Sequence, residues 1–133
     1  MTASVAPMIH VPNVAATAAW YASIGFTVIQ TYDDGGNGLS FAILRFGDSR
    51  IMFNSGGSAS AARRREVDLY VYTDEVDALP ARFGDRVQVE AALYDTFYGM
   101  REFIIRDLNG FWITFGRDLE PTPSIAPPTV TPS

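Results

Sequence analysis

At 133 residues, 47% hydrophobic and 19% charged, the chain is long enough for one domain with a real core and too apolar to be disordered. Its net charge of −5 argues against a nucleic-acid binder, and no apolar run approaches the roughly 18 residues that cross a bilayer. The absence of cysteine removes disulfides, thiolate metal sites and cysteine nucleophiles.

The opening "MTASVAPMIH" has no basic start and no long apolar stretch, so no secretion signal is expected and the cytoplasm is the expected compartment. "APMIHV" reads as extended, Asn13 as a helix N-cap, and Val14, Ala18 and Tyr21 keep helical spacing up to Gly25, a suitable C-terminal cap. "FTVIQTY" is the next strand and "DDGGNG", residues 33–38, a loop; a phosphate cradle would need a helix start after it. A hairpin, "FAILRFGDSRIMF", fills residues 41–53. The stretch "NSGGSASAARRR" is linker-like, and the basic cluster at 63–65 reads as a solvated loop. "VDLYVYT" is again a strand, and Asp74 or Asp77 is expected to begin a second helix, which Pro80 makes short or kinked. "RVQVEAALY" follows as a strand. The last two strands lie in 101–116, where "FIIRDLNGFWITF" holds a tight Asn-Gly turn. A proline-rich tail, 118–133, is expected to lie outside a single domain of residues 1–117.

The two hairpins are copies. Phe41/Phe103, Ile43/Ile105, Ile51/Ile113 and Phe53/Phe115 each lie 62 residues apart, as do Val5/Val67, Val14/Val76, Ala16/Ala78 and Ala19/Ala81. One ungapped offset through strand, helix and hairpin implies two modules, about 5–55 and 67–116, each ordered βαβββ. The fold class is therefore α+β, with mixed sheets and the helices outside.

Alternation along the strands separates two faces. Ile9, Val11, Val67, Leu69, Val71, Ile51, Phe53, Phe111, Ile113 and Phe115 form a layer of the kind helices cover. The other face carries Ala6, Met8 and His10, then Asp68, Tyr70 and Tyr72, with Arg50, Met52 and Asn54 from one hairpin and Trp112, Thr114 and Gly116 from the other. Aromatics, thioethers and isolated polar groups together suit a ligand site, or a surface buried by a second subunit.

Three stretches resemble the vicinal oxygen chelate superfamily, which includes glyoxalase I, extradiol dioxygenases and bleomycin-resistance proteins. They are "HVPNVAATAAWYASIGF" at 10–26, "LRFGDSRIMF" at 44–53 and "YGMREFIIRDLNGFWITFG" at 98–116, where Leu108 replaces the family's usual proline. The likeness covers about 5–117. It implies paired modules whose sheets curl around a cavity, usually in a homodimer, and enzymes of this family hold a divalent metal through four strand positions occupied by His, Gln or Glu. Carried across by motif, these positions are Ala6, Met52, Asp68 and Thr114. Only Asp68 offers a suitable donor, so no metal and no other cofactor is expected.

His10, the single histidine, is either a ligand contact, a general base or a structural residue, and a pair with Asp68 is conceivable. Asp68 is costly to bury unpaired, and its partner is His10, Arg101 or a cationic ligand. Tyr70, Tyr72 and Trp112 could stack on a flat ligand or hold a cation over their rings. The expectation is a metal-free protein, similar to the bleomycin-resistance branch, that sequesters a planar or cationic aromatic compound. Its ligand-binding residues would be Met8, His10, Met52, Asn54, Asp68, Tyr70, Tyr72, Arg101, Trp112 and Thr114, none catalytic. Two alternatives stand: an enzyme whose displaced metal ligands are His10, Asp68 and Glu102, and a dimeric interaction protein without a small ligand. A homodimer is expected, with neither nucleic-acid nor membrane partners.

Overall fold

A computed structural model describes residues 4–35, 38–58 and 64–119. The chain runs β1 (Met8–His10), α1 (Val14–Ser23), β2 (Thr27–Asp33), β3 (Leu39–Phe46), β4 (Ser49–Asn54), β5 (Leu69–Tyr72), α2 (Leu79–Phe83), β6 (Gln88–Asp95), β7 (Met100–Arg106) and β8 (Trp112–Asp118). The strands form two four-stranded mixed sheets, ordered β1-β4-β3-β2 and β5-β8-β7-β6. In each, the short first strand runs parallel to the last strand of its hairpin. The duplicated βαβββ order read from the 62-residue offset is thus the order of the fold.

The chain divides into two compact units, Met1–Asp68 with Arg106–Trp112, and Leu69–Ile105 with Ile113–Ser133. The first unit takes α1 as its cover. The side chain of Asn13 accepts from Ala16 N at 2.9 Å, so the expected N-cap is in place. Val14, Thr17, Ala18 and Tyr21 then form one buried stripe at helical spacing. Gly25, at φ 114°, releases the chain from the helix in a conformation that other residues resist. Tyr21 packs its ring 4.8 Å from Phe53 and 5.1 Å from Phe26, on a core shared with Val11, Ala42, Leu44 and Ile51. β2, at the edge of this sheet, is exposed along its whole length.

In the second unit the core is Val76, Leu79, Phe83, Phe103, Ile105, Ile113 and Phe115, with Phe83 wedged 5.6 Å from Phe115 and 6.4 Å from Phe103. Its helix is short, as expected, but Pro80 is not what ends it: Pro80 sits in the first turn, where its missing N–H costs nothing, and the chain leaves the helix at Gly84, φ 57°. Neither Asp74 nor Asp77 begins α2, contrary to expectation. A 3-10 turn, Val76–Ala78, leads into it; the cap positions are Glu75 and Ala78, neither with a side-chain capping bond, and the Asp77 carboxylate is bound by Arg117 and Arg101.

The "RDLNG" connection is also not the expected two-residue turn. Asp107 N bonds Phe111 O at 2.8 Å, and the Asp107 carboxylate accepts from the backbone of Asn109 at 2.7 Å and Phe111 at 2.9 Å. Asn109 keeps negative φ, and only Gly110, at φ 90°, enters the left-handed region. An aspartate side chain closes this loop, as an Asx-turn does.

Val67, expected on the covered face, is instead 53% exposed, because it lies in the irregular segment before β5 and not in the strand. Of the expected tail, Asp118 closes β8 and Leu119 N bonds Gly99 O at 2.9 Å. Residues 120–133 lie outside the described residues, as do 36–37 of the "DDGGNG" loop and Arg63.

Candidate functional site

The expected site residues fall on both units, and each unit presents its own group. On the first, parallel pairing of β1 with β4 sets Met8 opposite Met52 and His10 opposite Asn54. Asn54 Nδ2 donates to Met8 Sδ at 3.5 Å. His10 Nδ1 lies 2.9 Å from the Ser55 carbonyl, which can only accept, so Nδ1 carries the proton and Nε2 is left as the acceptor in the neutral ring.

Asp68 is not matched by His10 or Arg101. Its partner is Arg64, whose Nη2 lies 2.6 Å from Asp68 Oδ2. The same guanidinium stands 3.8 Å from the centroid of Trp112. Arg65 stacks 4.5 Å from Phe111 and donates to Asn109 O at 2.8 Å. The two described arginines of the basic cluster lie in a loop, as expected, and Arg64 stays 54% exposed, but their guanidiniums are docked on residues 109–112. A run of like charges carries no sign of the aromatic rings that the fold brings beneath it.

On the second unit the pairing of β5 with β8 sets Tyr70 opposite Thr114 and Tyr72 opposite Gly116. Thr114 is buried, whereas Tyr70 is 40% and Tyr72 76% exposed, their rings 4.8 Å apart. Behind Tyr70 lies Glu102, only 2% exposed. Glu102 Oε2 accepts the hydroxyls of Tyr70 at 2.7 Å and Tyr98 at 2.8 Å, and Oε1 accepts that of Tyr94. Burial pushes the carboxyl up, but the three hydroxyl bonds outweigh it and hold Glu102 below its ordinary value, so it is ionised at neutral pH. The tyrosines shift the other way. Burial, then the bond to Glu102, raises Tyr70 well above its ordinary value and pushes Tyr94 up to about 12. They stay neutral and donate.

Arg101 belongs to a separate surface network on this unit. It binds Asp95 through Nε at 2.7 Å and Nη2 at 3.1 Å, and reaches Asp77 at 3.3 Å. Asp77 is shared with Arg117.

Glu102 with its tyrosines was missed as a centre, having been considered only as a displaced metal ligand. One signal was available: Glu102 alternates with Ile104 on one face of the strand that carries Phe103 and Ile105 on the other, and a carboxylate there is costly to bury unless hydroxyls or cations surround it.

The family model for the Glyoxalase/Bleomycin resistance protein/Dioxygenase superfamily matches residues 4–115. The chain belongs to that superfamily. Among solved structures of this fold, TioX from Micromonospora sp. ML1 superimposes with a TM-score of 0.73 at 20% identity, over 89% of this chain and all of the other. A bleomycin-binding protein complexed with bleomycin gives 0.67 at 17% identity, over 88% and 99%. A single-residue mutant of the fosfomycin resistance protein FosX from Listeria monocytogenes, complexed with Mn(II) and a dihydroxypropylphosphonic acid, gives 0.70 at 16%, over 89% and 93%. A search of curated proteins found no match. No helix among the described residues is long and apolar enough to cross a membrane.

The superfamily's metal can be tested against the donors present. Ala6 has none, Met52 offers a thioether, Thr114 a buried hydroxyl, and the Asp68 carboxylate is bound to Arg64. This set does not fit a divalent metal that takes imidazole and carboxylate. Among the described residues no group of three His, Asp or Glu could hold a metal ion.

Proposed function

We propose that this chain is a metal-free binding protein of the superfamily that sequesters a planar, cationic aromatic compound, acting as a cytoplasmic homodimer. The observation that carries the reading is the exposed Tyr70–Tyr72 pair standing in front of the buried, ionised Glu102. Two accessible phenol rings offer faces for stacking, and a buried carboxylate with no described cationic partner makes that surface favour positive charge. Contacts of about 1 kcal/mol per ring, beyond the area they cover, each tighten the binding of a flat ligand by about fivefold.

The fold of a protein solved with bleomycin bound supports the ligand class, as does the poverty of metal donors. The displaced-ligand enzyme draws no support from its three residues, since His10 is tied to Ser55, Asp68 to Arg64 and Glu102 to its tyrosines.

The test is calorimetric titration with a panel of flat cationic compounds, bleomycin among them, and with neutral analogues of similar size. Saturable binding of the cations that weakens about tenfold in Tyr72→Ala supports the reading. Equal binding of neutral and cationic compounds would sink it, as would a metal-dependent rise in melting temperature lost in Asp68→Ala.

A further inference from the structure

The basic cluster has a place in this chemistry. Arg64 stands over Trp112 at 3.8 Å and binds Asp68 at 2.6 Å, which is how a planar cation is recognised: one face on an indole, one edge on a carboxylate. The contact is not helical geometry, since residues 64–68 form an irregular bend. It is also open to solvent, with the side chains of Arg64 and Asp68 54% and 36% exposed. The indole Nε1–H is buried with no acceptor among the described residues, so the site leaves one donor unsatisfied.

We infer that Trp112 and Asp68 form a binding subsite for a planar amidinium or guanidinium group, and that Arg64 is its internal occupant, which a ligand must displace. The inference rests on the reading above, that the protein binds flat cations, and adds a second contact point with a built-in competitor. A guanidinium on the protein's own chain is an unspecific placeholder that keeps the indole face covered. A ligand carrying an amidinium repeats both of Arg64's contacts. Arg64 is suited to leave because Arg65 does the anchoring: the half-buried Arg65 is hydrogen-bonded to Asn109 O and stacked on Phe111.

The experiment follows the two tryptophan indole N–H signals by NMR, with Trp20→Phe assigning that of Trp112, while benzamidinium or neutral benzamide is titrated in. Removing an exposed ion pair and a cation–π contact in Arg64→Ala is expected to tighten benzamidinium about three- to tenfold at the Trp112 signal. Benzamide should stay unaffected, and Asp68→Asn in the Arg64→Ala background should abolish the gain. A melting curve checks that each variant is folded, and Arg64→Gln supplies a second displacement should the alanine variant fail. If the wild-type protein binds flat cations but Arg64→Ala and Arg64→Gln bind benzamidinium no tighter, Arg64 is only a staple: this inference falls and the proposed function stands. If neither the wild-type protein nor these variants bind any flat cation, both fall.

Discussion

The hydroxyl of Tyr70 occupies the space that a side chain on Gly116 would need: a Cβ built there falls 2.1 Å from Tyr70 Oη and 2.7 Å from its Cζ. Gly116 lies opposite Tyr72 in the parallel pairing of β5 and β8, and its φ is ordinary, so the requirement is for room and not for backbone freedom. Gly116→Ala should therefore swing the Tyr70 ring away and break its bond to Glu102. The expected loss is about 1–3 kcal/mol, the cost of a hydrogen bond to a buried charge, seen as a melting temperature lower by several degrees. An unchanged melting curve would show that the ring relaxes without leaving Glu102.

Glu102 gives the stability a defined dependence on pH. Its carboxyl is held below 4.5, so between the folded and unfolded values the unfolded chain binds the proton and the folded one does not. The Glu102 contribution is whole above about 4.5 and is lost as pH falls through the lower folded value. Glu102→Gln should cost about 2 kcal/mol near pH 7, with the deficit shrinking below about pH 4.5. Denaturant melts of both proteins across roughly pH 3–7 check this. Ultraviolet titration supplies a second readout, because Tyr94, pushed up to about 12, should ionise earlier once the carboxylate is gone.

A buried bond of the opposite sign sits in the first unit. Tyr21 donates to Asp107 Oδ2 at 2.6 Å, and Asp107 is 3% exposed. Burial raises the Asp107 carboxyl in spite of the bonds it accepts from Tyr21, Phe111 and Asn109. A carboxyl raised in the folded state lends stability as pH falls and loses it as pH rises through the folded value. Tyr21→Phe should raise Asp107 further. Its deficit is expected to be about 1–3 kcal/mol near pH 7 and smaller near about pH 4. A deficit independent of pH would mean that the hydroxyl matters only for packing.

What the sequence determined was the repeating scaffold. Two copies at one offset, the Asn13 cap, the Val14–Ala18–Tyr21 stripe and the apolar alternation of the hairpins are local signals, each readable within a few residues. They led to two βαβββ modules, to the family, and to four ligand positions of which only Asp68 carries a suitable donor. The tertiary structure decided which polar and charged groups meet. Arg64 reaches Trp112, Tyr70 reaches Glu102, and Tyr21 reaches Asp107 across separations of 48, 32 and 86 residues, which no periodicity encodes. The same holds for two glycines. Gly116 makes room for Tyr70, and Gly57 for the carbonyl of His10, which a Cβ would approach to 2.1 Å. Hydrophobic patterning is a property of the chain next to itself, whereas partners for a charge or space for a ring exist only once distant segments are packed.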